Sequence, residues 1–255
     1  MMARATYPFR LIVVALQFFT RVPIATSMKI DEGDMGHSTA VFPLAGAFVA
    51  LVMAAVAYAM LYCGVAATIT AAALLCTEAL LTGAFHWDGL ADTFDGIFST
   101  HKGREEMLDI MHDSRVGVMG ATSIALVALL QYSAISCALQ YTAYVYAIAL
   151  VSSYMLGKWS CVFLIVTERY GRKKGKGLAF FSSAFWLHLA IATALVAPLA
   201  IAETHVLAAF AGVAAFSMLW KRYTVSILGG VTGDTLGACA RLSETVALVI
   251  ICTLM

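Results

Sequence analysis

Long apolar segments alternate with short polar connections along the 255-residue chain. A helix that crosses a hydrocarbon layer of about 30 Å needs about 20 mostly apolar residues, because other conformations leave peptide groups without hydrogen bonds in lipid. Seven segments approach or reach this length, and they predict six or seven transmembrane helices. These segments are residues 38–62, 66–85, 116–139, 141–167, 180–202, 205–220 and 236–255.

Two shorter segments have a different character. Residues 11–19 form an apolar run that is too short to span a membrane, and Arg21 and Pro23 follow it where a signal peptide would carry a small-residue cleavage site. We therefore predict an interfacial or re-entrant N-terminal segment. Residues 105–115 place acidic side chains on one side of a helix and Met and Leu on the other, which predicts an amphipathic helix on the membrane surface.

Composition narrows the class of protein. Apolar residues make up 62% of the chain and charged residues 12%, against about 45–50% and about 25% in soluble domains. This excludes a soluble single-core domain, and the low charge excludes a disordered or nucleic-acid-binding chain. The prediction is an all-α, polytopic membrane helical bundle that forms one domain over residues 1–255.

Positive charge predicts the orientation of this bundle, because short cytoplasmic loops carry an excess of Lys and Arg. The connections without Lys or Arg are 64–65, 140–141 and 203–205. The connections that carry most of the positive charge are 27–37, 86–115, 168–177 and 221–234. Two helices separate each of these from the next, so we expect all four to meet on the cytoplasmic face.

Three aspartates follow the second apolar segment at helical spacing. Asp88, Asp92 and Asp95 stand at i, i+4 and i+7, which places their carboxylates on one helix face. A hard divalent cation such as Mg²⁺ would relieve their repulsion by taking carboxylate oxygens, waters and substrate phosphates. The alternative is an acidic run that only keeps the loop in water. The shared face, flanked by Gly89 and Gly96, favours the metal site.

Two other acidic features belong to the same region. Glu78 lies within the preceding apolar segment, where an unpaired carboxylate costs about 2.5–3.5 kcal/mol on insertion scales. Asp113 and Arg115 end the predicted amphipathic helix, and we expect them to turn toward the three aspartates. The sequence therefore predicts a site built from residues 86–115 at the cytoplasmic face.

Other charged residues have two interpretations each. The basic loop 172–177 could bind phosphates, but such a cluster at a helix end is more often a topology signal that attracts anionic lipid. Lys158 lies inside an apolar segment, and we expect Glu244 to pair with it. The glycine-rich run 229–234 ends in Asp234 at a predicted helix start, an arrangement that suits phosphate.

Three runs of residues, with a fourth near the start of the chain, resemble a known family. They are Glu78…Thr82-Gly83…His86-x-Asp88-Gly-Leu-Ala-Asp92-x-x-Asp95-Gly, Met111-x-Asp113-Ser-Arg115-x-Gly117-x-x-Gly120, Thr232-Gly233-Asp234-x-x-Gly237-Ala238 and Phe19-Thr20-Arg21-x-Pro23. In these runs the chain is similar to cobalamin synthase, the adenosylcobinamide-GDP ribazoletransferase family, over nearly its whole length. Arg241 is a departure, because an acidic residue is more typical there, and Glu244 is the candidate to replace it.

The resemblance implies a reaction in cobalamin (vitamin B12) biosynthesis. An oxygen of α-ribazole, or of its 5′-phosphate, attacks the cobinamide-side phosphorus of adenosylcobinamide-GDP, and GMP leaves. The product is adenosylcobalamin or its 5′-phosphate, and Mg²⁺ is the implied cofactor. Phosphoryl transfer depends mostly on positioning and on neutralising charge that develops on oxygens, which matches the acidic residues.

The same resemblance implies roles for particular residues. One or two Mg²⁺ would be held by Glu78, Asp88, Asp92, Asp95 and Asp113. The catalytic candidates are His86, Asp88, Asp92 and Arg115. Either His86 or an aspartate would accept the proton, and Arg115 would bind a phosphoryl oxygen. His86 could instead make a structural hydrogen bond, and Glu78 could orient it. The substrate-binding candidates are Thr82, Arg115, Lys176, Thr232 and Asp234.

The residues alone leave other functions open. A secondary transporter would also carry charges in its spans, but it would typically show inverted repeats, and none is visible here. A CDP-alcohol phosphotransferase also uses aspartates around an Asp-Gly step, although such enzymes carry Arg where this chain has Asp92. A scaffold protein is the third alternative.

We expect the protein to lie in the bacterial cytoplasmic membrane with its site facing the cytoplasm. The expected partners are corrinoid and nucleoside substrates and membrane lipid, without nucleic acid. A homo-oligomer and docking of other enzymes of the pathway are left open.

Overall fold

The computed structural model describes residues 7–25, 27–98, 103–172, 175, 177–183 and 185–255. Helices dominate these residues, and the described part contains no β-sheet. The helices are α1 (Tyr7–Phe19), α2 (Glu32–Ser38), α3 (Phe42–Tyr62), α4 (Ala67–Thr82), α5 (Phe85–Ile97), α6 (Arg104–Ile110), α7 (Val118–Ala138), α8 (Ala143–Thr167), α9 (Leu178–Phe181), α10 (Trp186–Ala202), α11 (Thr204–Leu228) and α12 (Gly233–Leu254). A 3₁₀ turn, Thr39–Val41, joins α2 to α3.

Five helical stretches of the described chain are long and apolar enough to cross a membrane. They are Glu32–Tyr62, Val118–Ala138, Ala143–Thr167, Thr204–Leu228 and Gly233–Leu254. The helices α4 and α5 qualify only as one bent span, which would raise the number to six. The helix α10, in the predicted segment 180–202, has only 17 residues. The predicted polytopic helical membrane bundle is confirmed, with five or six spans in place of six or seven.

A sharp bend of 91° separates α4 from α5. Gly83 and Ala84 form this bend with left-handed backbone, at φ values of 68° and 58°. Glycine suits the first position, because a Cβ there would lie 2.1 Å from Nε of Arg21. After the bend, α5 packs across the beginnings of α7 and α12. We therefore treat α5 as a helix that lies along the end of the bundle, outside the spans.

The helix α8 forms the centre of the bundle. It packs against α3, α10, α11 and α12, and most of its side chains are buried. A helix that is apolar on all sides is expected to be enclosed by others in this way. The charged exception is Lys158, whose Nζ lies 2.6 Å from Oε1 of Glu244 on α12. The predicted pairing of these two residues is seen in the structure.

The helix α11 is longer than the sequence pattern predicts. Residues 221–234 are predicted to connect two helices, but α11 continues to Leu228. Lys221 remains in the helix because its ammonium group lies 3.3 Å from Glu168 and 5.5 Å from the ring centre of Phe163. A long basic side chain can thus cover apolar surface while its charge is paired.

The helix α6 is shorter than predicted. The expected amphipathic helix covers residues 105–115, but α6 ends at Ile110. The carboxylate of Asp113 accepts a hydrogen bond of 3.0 Å from the backbone N–H of Arg115. Such local side-chain bonds compete with helical ones, so both residues lie in the turn after α6.

The long polar connections meet at one end of the bundle. Arg104, at the start of α6, donates hydrogen bonds to the carbonyl oxygens of Leu228 and Gly171. A short parallel β-bridge joins Tyr170, after α8, to Val231, after α11. The N-terminal part joins the same assembly, because α2 packs against α9. This convergence is the arrangement that the charge pattern predicts.

Candidate active site

Four aspartates line one cavity at the polar end of the bundle. Asp88 and Asp92 come from α5, Asp113 from the turn after α6, and Asp234 from the first turn of α12. The cavity, here called the acidic cavity, has a volume of about 530 Å³. The structure thus brings together residues as far apart in the sequence as Asp88 and Asp234. The expected turn of Asp113 toward α5 is also present.

A close approach of two helices sets this geometry. A Cβ atom on Gly89 of α5 would lie 2.9 Å from the backbone oxygen of Asp234 and 3.4 Å from Cα of Gly237. Only glycine permits this separation without movement of the backbone. Gly89 therefore allows the carboxylates of α5 to lie beside the start of α12.

Arg172 supplies positive charge to the acidic cavity. Its Nη2 lies 3.0 Å from Oδ2 of Asp234, and its Nη1 lies 3.2 Å from Nδ1 of His112. Its side chain is 11% exposed. The sequence marks Arg172 only as one member of a basic loop, because nothing in the pattern distinguishes it from its neighbours.

Asp92 has an unusual electrostatic environment. Its pKa is raised from the usual range to about 7, mainly by burial and then by the nearby carboxylates of Asp88 and Asp234, while Arg172 lowers it. Asp95 adds a further small raising effect. Asp92 is therefore partly protonated near neutral pH.

Asp113 has the opposite environment. Hydrogen bonds from the side chain and the backbone of Arg115 lower the pKa of Asp113 to about 2. The guanidinium Nε of Arg115 lies 3.0 Å from both carboxylate oxygens, and its Nη2 lies 2.6 Å from one of them. Arg115 is exposed and lines a neighbouring cavity of about 360 Å³ together with Asp113 and Asp95.

Asp95 has a structural role in the arrangement seen here. Its two carboxylate oxygens accept hydrogen bonds from the backbone N–H groups of Gly117, at 2.7 Å, and Gly120, at 2.8 Å. These groups lie at the beginning of α7, where N–H groups have no helical partner and where negative charge is favourable. The structure therefore places Asp95 as a cap that joins α5 to α7, apart from the acidic cavity.

Glu78, a predicted metal ligand, lies in an internal ion pair. It is fully buried, forms an ion pair with Arg241 and accepts a 2.9 Å hydrogen bond from Nε1 of Trp87. Arg241 lies over the Trp87 ring and also pairs with Glu244 at 3.0 Å. This pairing compensates for the charge of Glu78 within the apolar bundle, and it does not place Glu78 beside the other predicted ligands.

His86 does not line the acidic cavity, although its neighbour Phe85 does. Its side chain is buried, and its Nδ1 lies 3.5 Å from Nζ of Lys158. It does not contact Glu78, which binds the neighbouring Trp87 instead. The structure therefore favours the structural interpretation of His86 over proton transfer.

Three predicted substrate-binding residues remain. The hydroxyl of Thr82 is buried and donates to the backbone oxygen of Glu78 at 2.9 Å. Thr232 is buried and caps α12 by accepting a hydrogen bond from the backbone N–H of Thr235. Neither threonine lines the acidic cavity. Lys176 lies outside the described residues.

Comparison with known proteins decides the family. A family model described as cobalamin-5-phosphate synthase matches residues 11–252. The chain belongs to the cobalamin-5-phosphate synthase family. Curated relatives are named adenosylcobinamide-GDP ribazoletransferase. One from Citrobacter koseri is 36% identical over 242 residues, covering 91% of this chain and 95% of the relative. One from Roseiflexus sp. is 36% identical and covers 94% of this chain and 88% of the relative. One from Geotalea daltonii is 33% identical and covers 94% of this chain and 95% of the relative. No solved structure matches the chain significantly.

The donor set of this member of the cobalamin-5-phosphate synthase family suits a magnesium ion that is held mainly by substrate. Among the described residues, no three His, Cys, Asp or Glu side chains are grouped closely enough to hold a metal alone. Mg²⁺, however, commonly takes one or two carboxylates and completes its shell with waters and substrate phosphates. Asp88 and Asp92 can supply that pair of carboxylates within the acidic cavity.

Proposed function

We propose that the protein is an adenosylcobinamide-GDP ribazoletransferase that uses Mg²⁺ in the acidic cavity. It would join adenosylcobinamide-GDP to α-ribazole, or to its 5′-phosphate, with release of GMP. The observation that supports this most directly is the convergence of Asp88, Asp92, Asp113 and Asp234 on one cavity. The relatives that bear this name align with more than nine-tenths of the chain.

Particular residues would divide the chemistry between them. Asp88 and Asp92, one turn apart on α5, would hold the cation. When bound, Mg²⁺ neutralises negative charge that develops on the phosphoryl oxygens. Arg172, which also lines the acidic cavity, would orient a phosphate oxygen. A carboxylate of the same cavity would accept the proton of the attacking hydroxyl, because His86 is buried beside Lys158.

We also propose that the protein lies in the bacterial cytoplasmic membrane and that its acidic cavity opens toward the cytoplasm. The long connections that carry most Lys and Arg meet at the cavity end of the bundle. An excess of these residues is typical of cytoplasmic loops. Docking by other enzymes of the pathway would use this end, because the connections between the spans are shorter at the other.

Turnover by the purified full chain in liposomes tests the proposal. The assay supplies adenosylcobinamide-GDP and α-ribazole, with or without Mg²⁺, and follows GMP release and the corrinoid product. We expect Asp88→Asn and Asp92→Asn each to lower turnover by about 100-fold or more, because removal of a group that stabilises developing charge has effects of that size.

Asp109→Asn is the matched control, since Asp109 is an exposed aspartate on α6 outside the acidic cavity. Its turnover should equal that of the wild type. Folded wild-type protein that releases no GMP with Mg²⁺ present would contradict the proposed activity. Undiminished turnover without Mg²⁺ would contradict the proposed cofactor.

A further inference from the structure

A second cavity at the same end of the bundle is lined by basic side chains. Its volume is about 420 Å³, and its lining contains Arg104, Arg169 and Arg172; none of the described residues that line it is acidic. It is called the basic cavity below. Tyr170 and Arg172 also line the acidic cavity, so the two cavities adjoin.

Backbone carbonyl groups hold two of these arginines in place. Arg104 donates from Nε to the Leu228 oxygen at 2.6 Å and from Nη2 to the Gly171 oxygen at 2.8 Å. Arg169 donates from Nε to the Gly229 oxygen at 3.1 Å. Among the described residues, the other N–H groups of these two guanidinium ends have no hydrogen-bond acceptor. No acidic side chain in the described part of the chain forms an ion pair with either arginine.

Arg172 has an unsatisfied donor at the boundary between the cavities. Its Nη atoms reach Asp234 and His112, but its Nε is buried and has no acceptor among the described residues. A buried donor without an acceptor is unfavourable. The side chain of Arg172 also lines both cavities, so its guanidinium group adds positive charge at their boundary.

We propose that the basic cavity binds a phosphate group of a nucleotide. Guanidinium groups bind phosphate oxygens through paired, charge-assisted hydrogen bonds, and three of them border this cavity. The inference rests on the proposed function, in which the reacting phosphorus lies in the acidic cavity and a second phosphate must lie near it. That second phosphate is either the one that leaves in GMP or the 5′-phosphate of α-ribazole 5′-phosphate.

Calorimetric binding of GMP to the full chain in a neutral detergent tests the site. The proteins are the wild type, Arg104→Gln, Arg169→Gln and, as a control, Arg222→Gln, which changes an exposed arginine of α11 outside the basic cavity. We expect the Kd of GMP to rise by about tenfold or more in the first two variants and to remain unchanged in the third. Guanosine, which lacks the phosphate, should bind all four proteins equally.

The Arg169→Gln variant keeps the test valid if the Arg104→Gln protein does not fold. Both arginines are exposed, but the guanidinium of Arg104 bonds two carbonyl oxygens, so its loss puts more structure at risk than the loss of Arg169, which bonds one. Parallel titrations with α-ribazole and α-ribazole 5′-phosphate identify the source of the phosphate. If only the affinity for GMP falls in the arginine variants, the basic cavity binds the phosphate of the leaving group. If only the affinity for α-ribazole 5′-phosphate falls, it binds the phosphate of the acceptor. Either result supports the phosphate site.

Two results would overturn the inference. One is unchanged binding of both nucleotides to folded Arg169→Gln protein. The other is arginine dependence only for added phosphatidylglycerol, which would indicate a lipid site. The turnover assay distinguishes the proposed transferase activity from the proposed phosphate site. If the wild type turns over but nucleotide binding does not depend on the arginines, only the phosphate site is contradicted. If GMP binding depends on the arginines but the wild type shows no turnover, only the proposed transferase activity is contradicted.

Discussion

Individual carboxyl groups in the acidic cavity differ widely in their affinity for protons. Partial burial and the negative charges of Asp88 and Asp234 raise the pKa of Asp92 to about 7. Asp113 lines the same cavity, but hydrogen bonds from the exposed Arg115 lower the pKa of its carboxyl to about 2. The spacing of the aspartates is visible in the sequence, but their separate titration depends on the neighbours that folding supplies.

The raised pKa of Asp92 predicts that Mg²⁺ binding depends on pH. Below pH 7 the carboxyl is mostly protonated, and a proton must leave before it can bind a cation. Between pH 6 and pH 8 the apparent affinity for Mg²⁺ should therefore increase by about tenfold. The concentration of Mg²⁺ that gives half-maximal GMP release measures this. Asp109→Asn should keep the same profile, and a flat profile in the wild type would contradict the assignment.

Two features of the helix packing position the acidic cavity. They are the bend between α4 and α5 and the contact of α5 with α12. The left-handed backbone of Gly83 and Ala84 turns α5 across the end of the bundle. Asp95 then fixes α5 to the beginning of α7 by accepting two backbone hydrogen bonds. One acidic helix thus lines the acidic cavity with Asp88 and Asp92 and is joined to α7 by Asp95.

Gly89→Ala tests the contact between α5 and α12. The new Cβ would lie 2.9 Å from the backbone oxygen of Asp234, so one helix must move. We expect turnover to fall by about tenfold to a hundredfold, because displacement of reacting groups by about 1 Å has effects of this size. Gly103→Ala, which introduces a Cβ with no atom within 4 Å, is the control. A Gly89→Ala enzyme with wild-type turnover would show that the close approach is unimportant.

A buried network of charges connects three helices inside the bundle, α4, α8 and α12. Arg241 of α12 pairs with Glu78 of α4 and Glu244 of its own helix, and Lys158 of α8 pairs with Glu244. The two acidic and two basic groups balance one another inside the apolar interior. The loss of one partner would leave an uncompensated charge there.

Arg241→Met should therefore lower the free energy of unfolding by about 3–5 kcal/mol. Unfolding of the purified variant in detergent, followed by circular dichroism, measures this change. Arg222→Met, at an exposed position of α11, is the control and should have little effect. If Arg241→Met unfolds like this control, the network contributes no stability. The double variant with Glu78→Gln should recover part of the loss, because it also removes an unpaired carboxylate.

The sequence alone determined the helical membrane class, the acidic helix and the family. The length and hydropathy of the segments are enough to predict the helical membrane class, because backbone N–H and C=O groups inside a lipid bilayer must form hydrogen bonds with one another. The spacing of Asp88 and Asp92 suffices for the second, because residues one turn apart share a helix face. The motif around Asp234 was also visible, although its distance from α5 in the chain hides their contact.

Only the tertiary structure separated the aspartates of the acidic cavity from the other predicted ligands. Glu78 and Asp95 look equivalent to Asp88 in a linear pattern, yet one pairs with Arg241 and the other caps α7. Their partners lie far away in the chain, and a local pattern carries no information about them. The position of Arg172 between two cavities was decided in the same way, because charge is a property of the residue and its electrostatic environment is a property of the fold.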